Sequence, residues 1–405
     1  MTNLYSKARS GFRQKFAACL AIATIGVSLS AFALGVRVPN QDPEAVGRAN
    51  AFVATADNPS AIYYNPAGIT QLPGLNAQVS SLAYLGIYAD YDSPSGQRVE
   101  NEHEFLPVPA IHLTYTPDKS RFSFGLGVYA PFGLAMKWPD DAPFRTTGIE
   151  GSLDYITINP VVAFKLHETL SLAIGPTFNL SRVDLKRGIG LVPGDTFRFK
   201  GDDVDYGFTA GVLWQPHPKW SFGLSYRSAS KLDYDGTGNA QPEPIFPGSF
   251  NSSASLDFPQ IAIAGVSFRP TPDWNIEFDV DWADWNTVDR INITGVGTIP
   301  LNWQSSFFYQ FGMTRYLQNG WYVSAGYFFS ENSTDTSLYN PIIADTDLHV
   351  GTVGVGRKGE HWNWAVAFEL IAGPWTAASN ANDPTVAGKY RLFSPALSAS
   401  VGYHF

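Results

Sequence analysis

The sequence predicts an all-β protein: a 14-stranded antiparallel transmembrane β-barrel with an N-terminal hatch (plug) segment in the lumen. Three observations predict it. Apolar and polar residues alternate with period two over long segments, the connections alternate between short and long, and the chain ends on Phe405. Successive side chains of a strand point to opposite faces, so period two marks a sheet with one apolar face. Soluble strands average about 5–6 residues, whereas a tilted strand needs about 9–11 to cross the hydrocarbon.

Residues 1–33 come first and differ from the rest. Lys7, Arg9, Arg13 and Lys15 form a basic head without an acid, an apolar run follows from Phe16 to Leu29, and Ala31-Phe32-Ala33 supplies small residues at the positions a signal peptidase reads. This is the pattern of a secretory signal peptide cleaved after Ala33; the apolar run is shorter than the ~20 residues of a spanning helix. The only cysteine, Cys19, lies inside it. The mature chain therefore has no disulfide, cysteine nucleophile or thiolate metal site. Four of the 27 basic residues and none of the 36 acidic ones leave with the signal, so the remainder is net acidic by 13, which disfavours nucleic acid as a partner. No mature segment reaches 18 consecutive apolar residues, and a barrel evades such a scan because only every second residue is apolar.

Residues 34–73 do not alternate. They are rich in Ala, Asn and Pro, yet Ile62, Tyr63, Tyr64 and Ile69 make them too apolar for a free tail. This segment is expected to plug the barrel formed by residues 74–405. Fourteen strands are expected there, at 75–91, 105–116, 121–131, 151–166, 169–183, 198–214, 219–233, 251–269, 274–289, 303–317, 320–331, 346–358, 361–371 and 391–405. In the ninth, Trp274, Ile276, Phe278, Val280 and Trp282 share one face, and Asn275, Glu277, Asp279 and Asp281 the other. Tight turns such as His167-Glu168 and Gln318-Asn319 follow the even-numbered strands. Long connections such as 132–150, 234–250 and 372–390 follow the odd-numbered ones. Short periplasmic turns and long external loops give this rhythm. Trp214, Trp220, Trp274, Trp282, Trp285, Trp303, Trp321 and Trp362 stand at strand ends, as interfacial girdles require. Leu397, Ala399, Val401, Tyr403 and Phe405 alternate to the terminus, and such an ending resembles the outer-membrane assembly signal.

The segment Ser60-Ala61-Ile62-Tyr63-Tyr64, followed by Asn65-Pro66-Ala67, resembles the N-terminal motif of the FadL family of outer-membrane long-chain fatty acid transporters. Further likenesses follow in order: Tyr129-Ala130-Pro131-Phe132-Gly133-Leu134, Lys137-Trp138-Pro139, Ile156-Thr157-Ile158-Asn159-Pro160, Phe258-Pro259-Gln260, Phe268-Arg269-Pro270 and Asp281-Trp282-Ala283-Asp284-Trp285. The resemblance implies a monomeric barrel with an N-terminal hatch. It also implies ligand capture from outside, a hydrophobic pocket near the hatch and a lateral exit beside a kinked third strand. Gly125, Gly127 and Pro131 are the candidate kink, since Gly and Pro within a strand favour bulges; an ordinary strand end at Pro131 is the other reading.

An apolar solute gains nothing from a water-filled pore, because leaving lipid for water costs about 25 cal/mol per Å². A dry aromatic path is the expected device. Ile245, Phe246 and Phe250 in one long loop, with Phe132, Leu134 and Trp138 in another, are candidates for an external hydrophobic groove; packing on the barrel rim is the alternative. Arg182, Lys186, Arg187, Arg198 and Lys200 read as a solvated face or as contacts for a carboxylate or lipopolysaccharide phosphate. The inward Glu277, Asp279 and Asp281 argue mildly for an uncharged cargo. Catalytic motifs are lacking, the seven histidines are scattered, and no cofactor or metal is expected. The expected partners are a hydrophobic small molecule, fatty acid or hydrocarbon, together with outer-membrane lipid and lipopolysaccharide. A general diffusion porin, with a constricting loop and no plug, or a structural barrel are the competing readings.

Overall fold

The computed structural model describes residues 36–103, 105–295 and 297–405; the signal-peptide reading of residues 1–33 lies outside the described residues. Fourteen strands run antiparallel. They are β1 (Gly74–Tyr84), β2 (Leu106–Thr116), β3 (Phe122–Lys137), β4 (Glu150–His167), β5 (Leu170–Arg187), β6 (Thr196–His217), β7 (Trp220–Arg227 with Ser230–Gln241), β8 (Gly248–Phe258 with Ile261–Phe268), β9 (Trp274–Ala283), β10 (Ser306–Tyr316), β11 (Trp321–Ser330), β12 (Leu348–Lys358), β13 (Trp362–Ala372) and β14 (Gly388–His404). Short strands such as Tyr88–Asp92 and Arg290–Ile293 extend the sheet into the external loops. β1 pairs with β14 from Asn76↔His404 to Tyr84↔Ala396, which closes the ring. Closure matters because hydrocarbon offers no partner to an unpaired sheet edge.

The faces are inverted relative to a soluble protein. Outward positions such as Val79, Ile174 and Tyr206 are 56%, 61% and 57% exposed, whereas the inward Glu277, Asp279 and Asp281 are fully buried. Lipid selects this arrangement. Trp214, Trp220, Trp321 and Trp362 are exposed at the short-turn ends. Trp285 and Trp303 depart from the expected girdle and are buried. β9 ends at Ala283, and the 3-10 turn Trp285–Thr287 carries Trp285 inward against Trp303, with ring centroids 5.0 Å apart.

Several strands run further than the sequence pattern indicates, among them β3 to Lys137, β5 to Arg187, β7 to Gln241, and β14 from Gly388. β3 passes through Pro131 by a bulge. Between Tyr129↔Thr157 and Phe132↔Tyr155 it advances three residues while β4 advances two. A bulge is where a residue without an N–H is tolerated, so Pro131 interrupts the strand without ending it.

Every residue from Val36 to Ile69 except Asp57 and Pro59 is buried. Since the outer faces of the strands are open, this burial is inside the ring. The segment forms two helical turns, α1 (Pro43–Val46) and α2 (Ala61–Tyr64), and a 3-10 helix, Pro66–Gln71. Asn65 caps the last of these, accepting from the Ala67 amide at 3.2 Å, with Pro66 at the first position. Asn before Pro suits this start, because Asn caps a free N–H and Pro lacks one. The wall admits the segment through bare backbone: a Cβ on Gly223 would stand 2.1 Å from the Val53 carbonyl oxygen, and one on Gly312 2.2 Å from that of Arg48.

Candidate functional site

Three inward acids on β9 hold the inner segment. Asp281 pairs with Arg37, one contact being 2.8 Å. Asp279 accepts from the Phe52 and Val53 amides at 2.8 and 2.9 Å. Glu277 accepts from the Ala54 and Thr55 amides at 2.7 and 3.2 Å and pairs with Arg48 at 3.3 Å. Alternation along a strand places all three on one face, and the inner chain runs past them with its N–H groups turned outward. The acids therefore face neither open lumen water nor a mobile cation, and the argument they gave for an uncharged cargo falls. Asn65, of the hatch motif, donates to the carbonyl oxygens of Val53 and Val212 at 2.8 and 2.9 Å, tying the segment to β6.

On the opposite side the wall parts. The β2–β3 ladder runs only from Tyr115↔Phe124 to Ile111↔Val128. Above it, β3 bonds β4 and the inner segment instead: the Val38 amide donates to the Pro131 carbonyl at 2.8 Å, and the Gly133 amide to that of Val36 at 2.9 Å. Gly125 and Gly127 lie just below, inside the paired stretch. A Cβ on either would come within 2.9 Å and 2.8 Å of Ile62, so their bareness seats the α2 turn.

Above the inner segment lie two apolar slots of about 40 Å³ each, sharing Leu185, Ile291 and Ile343. The lower is lined by Val36, Leu134, Phe258, Trp285 and Trp303, among others; the upper reaches Arg187 and Ile342. A drug-sized ligand fills roughly 300–1,000 Å³, so the path is collapsed and opens only if side chains part. Aromatic rings pack behind the lining Phe258 and Trp285: Phe132 stands 4.9 Å from Phe258, 6.1 Å from Trp285 and 5.1 Å from Tyr155. The loop 331–347 turns inward over the top, burying Tyr339, Ile342 and Ile343, and the Trp138 indole N–H donates to the Pro341 carbonyl at 3.0 Å. Asp345 in this loop accepts from the Ser333 amide and hydroxyl at 2.7 and 2.8 Å; burial pushes its carboxyl up to about 6. A roomier cleft of about 440 Å³ lies at the outer rim between Tyr88, His103 and Phe393. Asp90, Arg98 and Arg391 also line it, so it is charged and off the apolar path.

The six candidates for the external groove separate. Phe132 and Leu134 sit on β3, not in a loop, and with Trp138 they are buried inside. The extra strand length after the bulge moves them in. Ile245 is exposed, while Phe246 and Phe250 are partly buried at the rim, Phe250 6.3 Å from Phe197. Among the basic residues, Arg198 and Lys200 pair with Asp184 at 2.6 and 2.9 Å, and Lys186 with Asp140 at 2.7 Å. Ile342 and Ile343 carry no sequence signal that marks them as lining. Trp285 and Phe258 did lie in recognisable motifs, but their inward direction depends on where β9 and β8 break.

The family model for outer membrane protein transport proteins (OMPP1/FadL/TodX) matches residues 24–391. A long-chain fatty acid transport protein of Escherichia coli O6:H1 is 22% identical over 379 residues, covering 81% of this chain and 84% of its own length. A Pseudomonas aeruginosa FadL homologue of known structure superposes with a TM-score of 0.81 at 18% identity, covering 92% of this chain and 100% of that one. The Ralstonia pickettii toluene transporter TbuX gives 0.67 at 14%, covering 93% and 99%. At such identities the structures speak for the fold, while the family match spans most of the sequence. The chain belongs to the OMPP1/FadL/TodX family of outer membrane transport proteins, and its barrel resides in the outer membrane.

Proposed function

We propose that this protein takes up hydrophobic molecules, long-chain fatty acids or aromatic or aliphatic hydrocarbons, by passive movement through the plugged barrel. The observation that carries the reading is the apolar path from the inward loop 331–347 to Val36, closed below by the inner segment. A molecule leaving lipid keeps its apolar surface out of water along such a path. In this reading residues 34–73 are the hatch and Ile245, Phe246 and Phe250 make first contact at the rim. Phe132, Leu134 and Trp138 serve deeper in, and cargo leaves sideways where β2 and β3 part beside Gly125, Gly127 and Pro131. The relatives named for fatty acid and toluene transport support this range of cargo. The protein acts as a monomer among outer-membrane lipid and lipopolysaccharide, without cofactor or catalysis. A diffusion porin is disfavoured, because a porin has no plug, whereas residues 36–69 fill the lumen and obstruct water.

Binding of radiolabelled oleate, toluene and an alkane to the purified protein tests the reading. Saturable binding of at least one supports it; binding of none, together with large and steady conductance in planar bilayers, overturns it. Deleting residues 34–72 is expected to raise conductance, and unchanged conductance would remove the hatch role.

A further inference from the structure

Arg227 ends the lower half of β7 and points inward, on the face where Gly223 meets Val53. Its guanidinium lies over two rings, 5.0 Å from the centroid of Tyr63 and 5.2 Å from that of Tyr129. It donates to the Tyr129 hydroxyl at 3.0 Å, which in turn donates to the Asn159 side-chain oxygen at 2.9 Å. No described carboxylate forms an ion pair with it. This contrasts with Arg37 and Arg48, the two arginines of the inner segment itself, which both pair with β9 acids. Asp203 and Asp205, higher on the neighbouring β6, accept the backbone amides of Asp233 and Lys231 at 2.8 and 2.7 Å. They bridge a stretch where the β6–β7 ladder is interrupted, between Thr209↔Arg227 and Asp202↔Asp235. Arg227 sits at the lower end of that break and is only partly buried.

The two rings belong to parts that must separate for the wall to open. Tyr63 is on the α2 turn, beside Ile62, which is seated on Gly125 and Gly127. Tyr129 is the last β3 residue before the bulge. One cation thus holds the turn and the strand together through their π faces. A planar guanidinium prefers a carboxylate or phosphate fork, two charge-assisted hydrogen bonds, to a ring face.

We infer that Arg227 is a site for a single anionic headgroup, and that filling it releases the Tyr63 turn from β3. The inference rests on the uptake function proposed above and adds what triggers the hatch. Neutral hydrocarbons can occupy the apolar path but do not take the guanidinium from the rings. A ligand moves a conformational equilibrium only through its differential affinity for the two states, and here that difference lies in the charge of the head.

The test uses the purified full-length protein carrying Ala61→Cys, whose buried side chain reports release of the turn through its rate of reaction with a maleimide. Oleate is expected to speed labelling by about tenfold, and methyl oleate at equal occupancy by less than about twofold. Arg227→Gln is expected to raise the basal rate and to abolish the oleate effect, while methyl oleate still binds. Equal acceleration by oleate and its ester overturns the inference without needing any variant at Arg227. So does an Arg227→Gln protein that responds to oleate as its parent does. If neither radiolabelled oleate nor its ester binds while toluene or an alkane does, this inference is overturned and the uptake reading stands; if none of them binds and conductance is large and steady, the uptake reading fails as well.

Discussion

Replacing Asp281 by Asn keeps the size of the side chain and removes its charge. Its partner Arg37 is 1% exposed and would be left as a buried cation. Removing one partner of a buried ion pair costs about 3–5 kcal/mol. The Phe308 ring, 4.7 Å from the guanidinium, remains beneath Arg37 and retains about 0.5–2 kcal/mol of cation–π attraction, which places the expected loss near the lower bound. At 1.4 kcal/mol per decade, about 3 kcal/mol shifts the docked-to-released ratio of the inner segment roughly 100-fold. Limited trypsinolysis reads this ratio, because Arg37 and Arg48 are buried while docked and become cleavable only on release. When reclosing outpaces cutting, the cleavage rate follows the released population. Asp281→Asn should therefore raise cleavage after Arg37 and Arg48 about 100-fold, with the heat-modifiable migration of the barrel unchanged. A change below about threefold would refute the view that this ion pair holds the segment, since even a weak exposed pair contributes up to ~1 kcal/mol.

Gly223→Ala should keep the inner segment from seating, because the new Cβ would stand 2.1 Å from the Val53 carbonyl oxygen; bilayer conductance rises, whereas Gly351→Ala, with nothing within 4 Å, leaves it unchanged. Trp285→Ala removes ring surface from the lower slot; if about 50 Å² faces the ligand, oleate affinity falls roughly tenfold by equilibrium binding. Docking of loop 331–347 should depend on pH through Asp345, whose carboxyl is raised to about 6 by burial. A raised carboxyl favours the docked loop most below its unfolded value near 4; that advantage declines as pH rises towards about 6 and is constant above. Protease nicking of the loop should follow this profile in the parent and lose it in Asp345→Asn. Asp195 should behave oppositely. Burial alone would raise it, but the amides of residues 189–192 and Arg145 outweigh that and hold it low, so nicking near residues 189–195 should increase as pH falls below about 4.

The barrel was legible because its strands must present lipid with an unbroken apolar face. The alternation Trp274, Ile276, Phe278, Val280, Trp282 is read correctly residue by residue, and the strand count follows. What escaped lies where the backbone departs from period two. The bulge at Ala130-Pro131 shifts the register of β3 and extends it by six residues beyond the expected end, turning three supposed loop residues into lining or buried ones. The breaks at Ser228-Ala229 in β7 and Pro259-Gln260 in β8 also leave the alternation on either side intact, so the pattern does not reveal them. Trp285 and Trp303 show the same limit: aromatic residues near strand ends suit a girdle equally well until the chain is seen to turn inward.

The inward acids carry this one step further. Read by themselves, Glu277, Asp279 and Asp281 give the lumen a negative field that would repel a fatty carboxylate. Their partners lie more than 220 residues away in sequence, and no local pattern connects them. Once the inner segment is docked, each acid is paired with an arginine or satisfied by backbone amides, so these three do not meet the cargo. Arg227, between Tyr63 of the inner segment and Tyr129 of the wall, has no such acid partner among the described residues. An acid row that serves only as an anchor leaves cargo charge to be judged elsewhere. The same sequence pattern that argued against an anionic cargo is, in the folded protein, taken up in holding the inner segment.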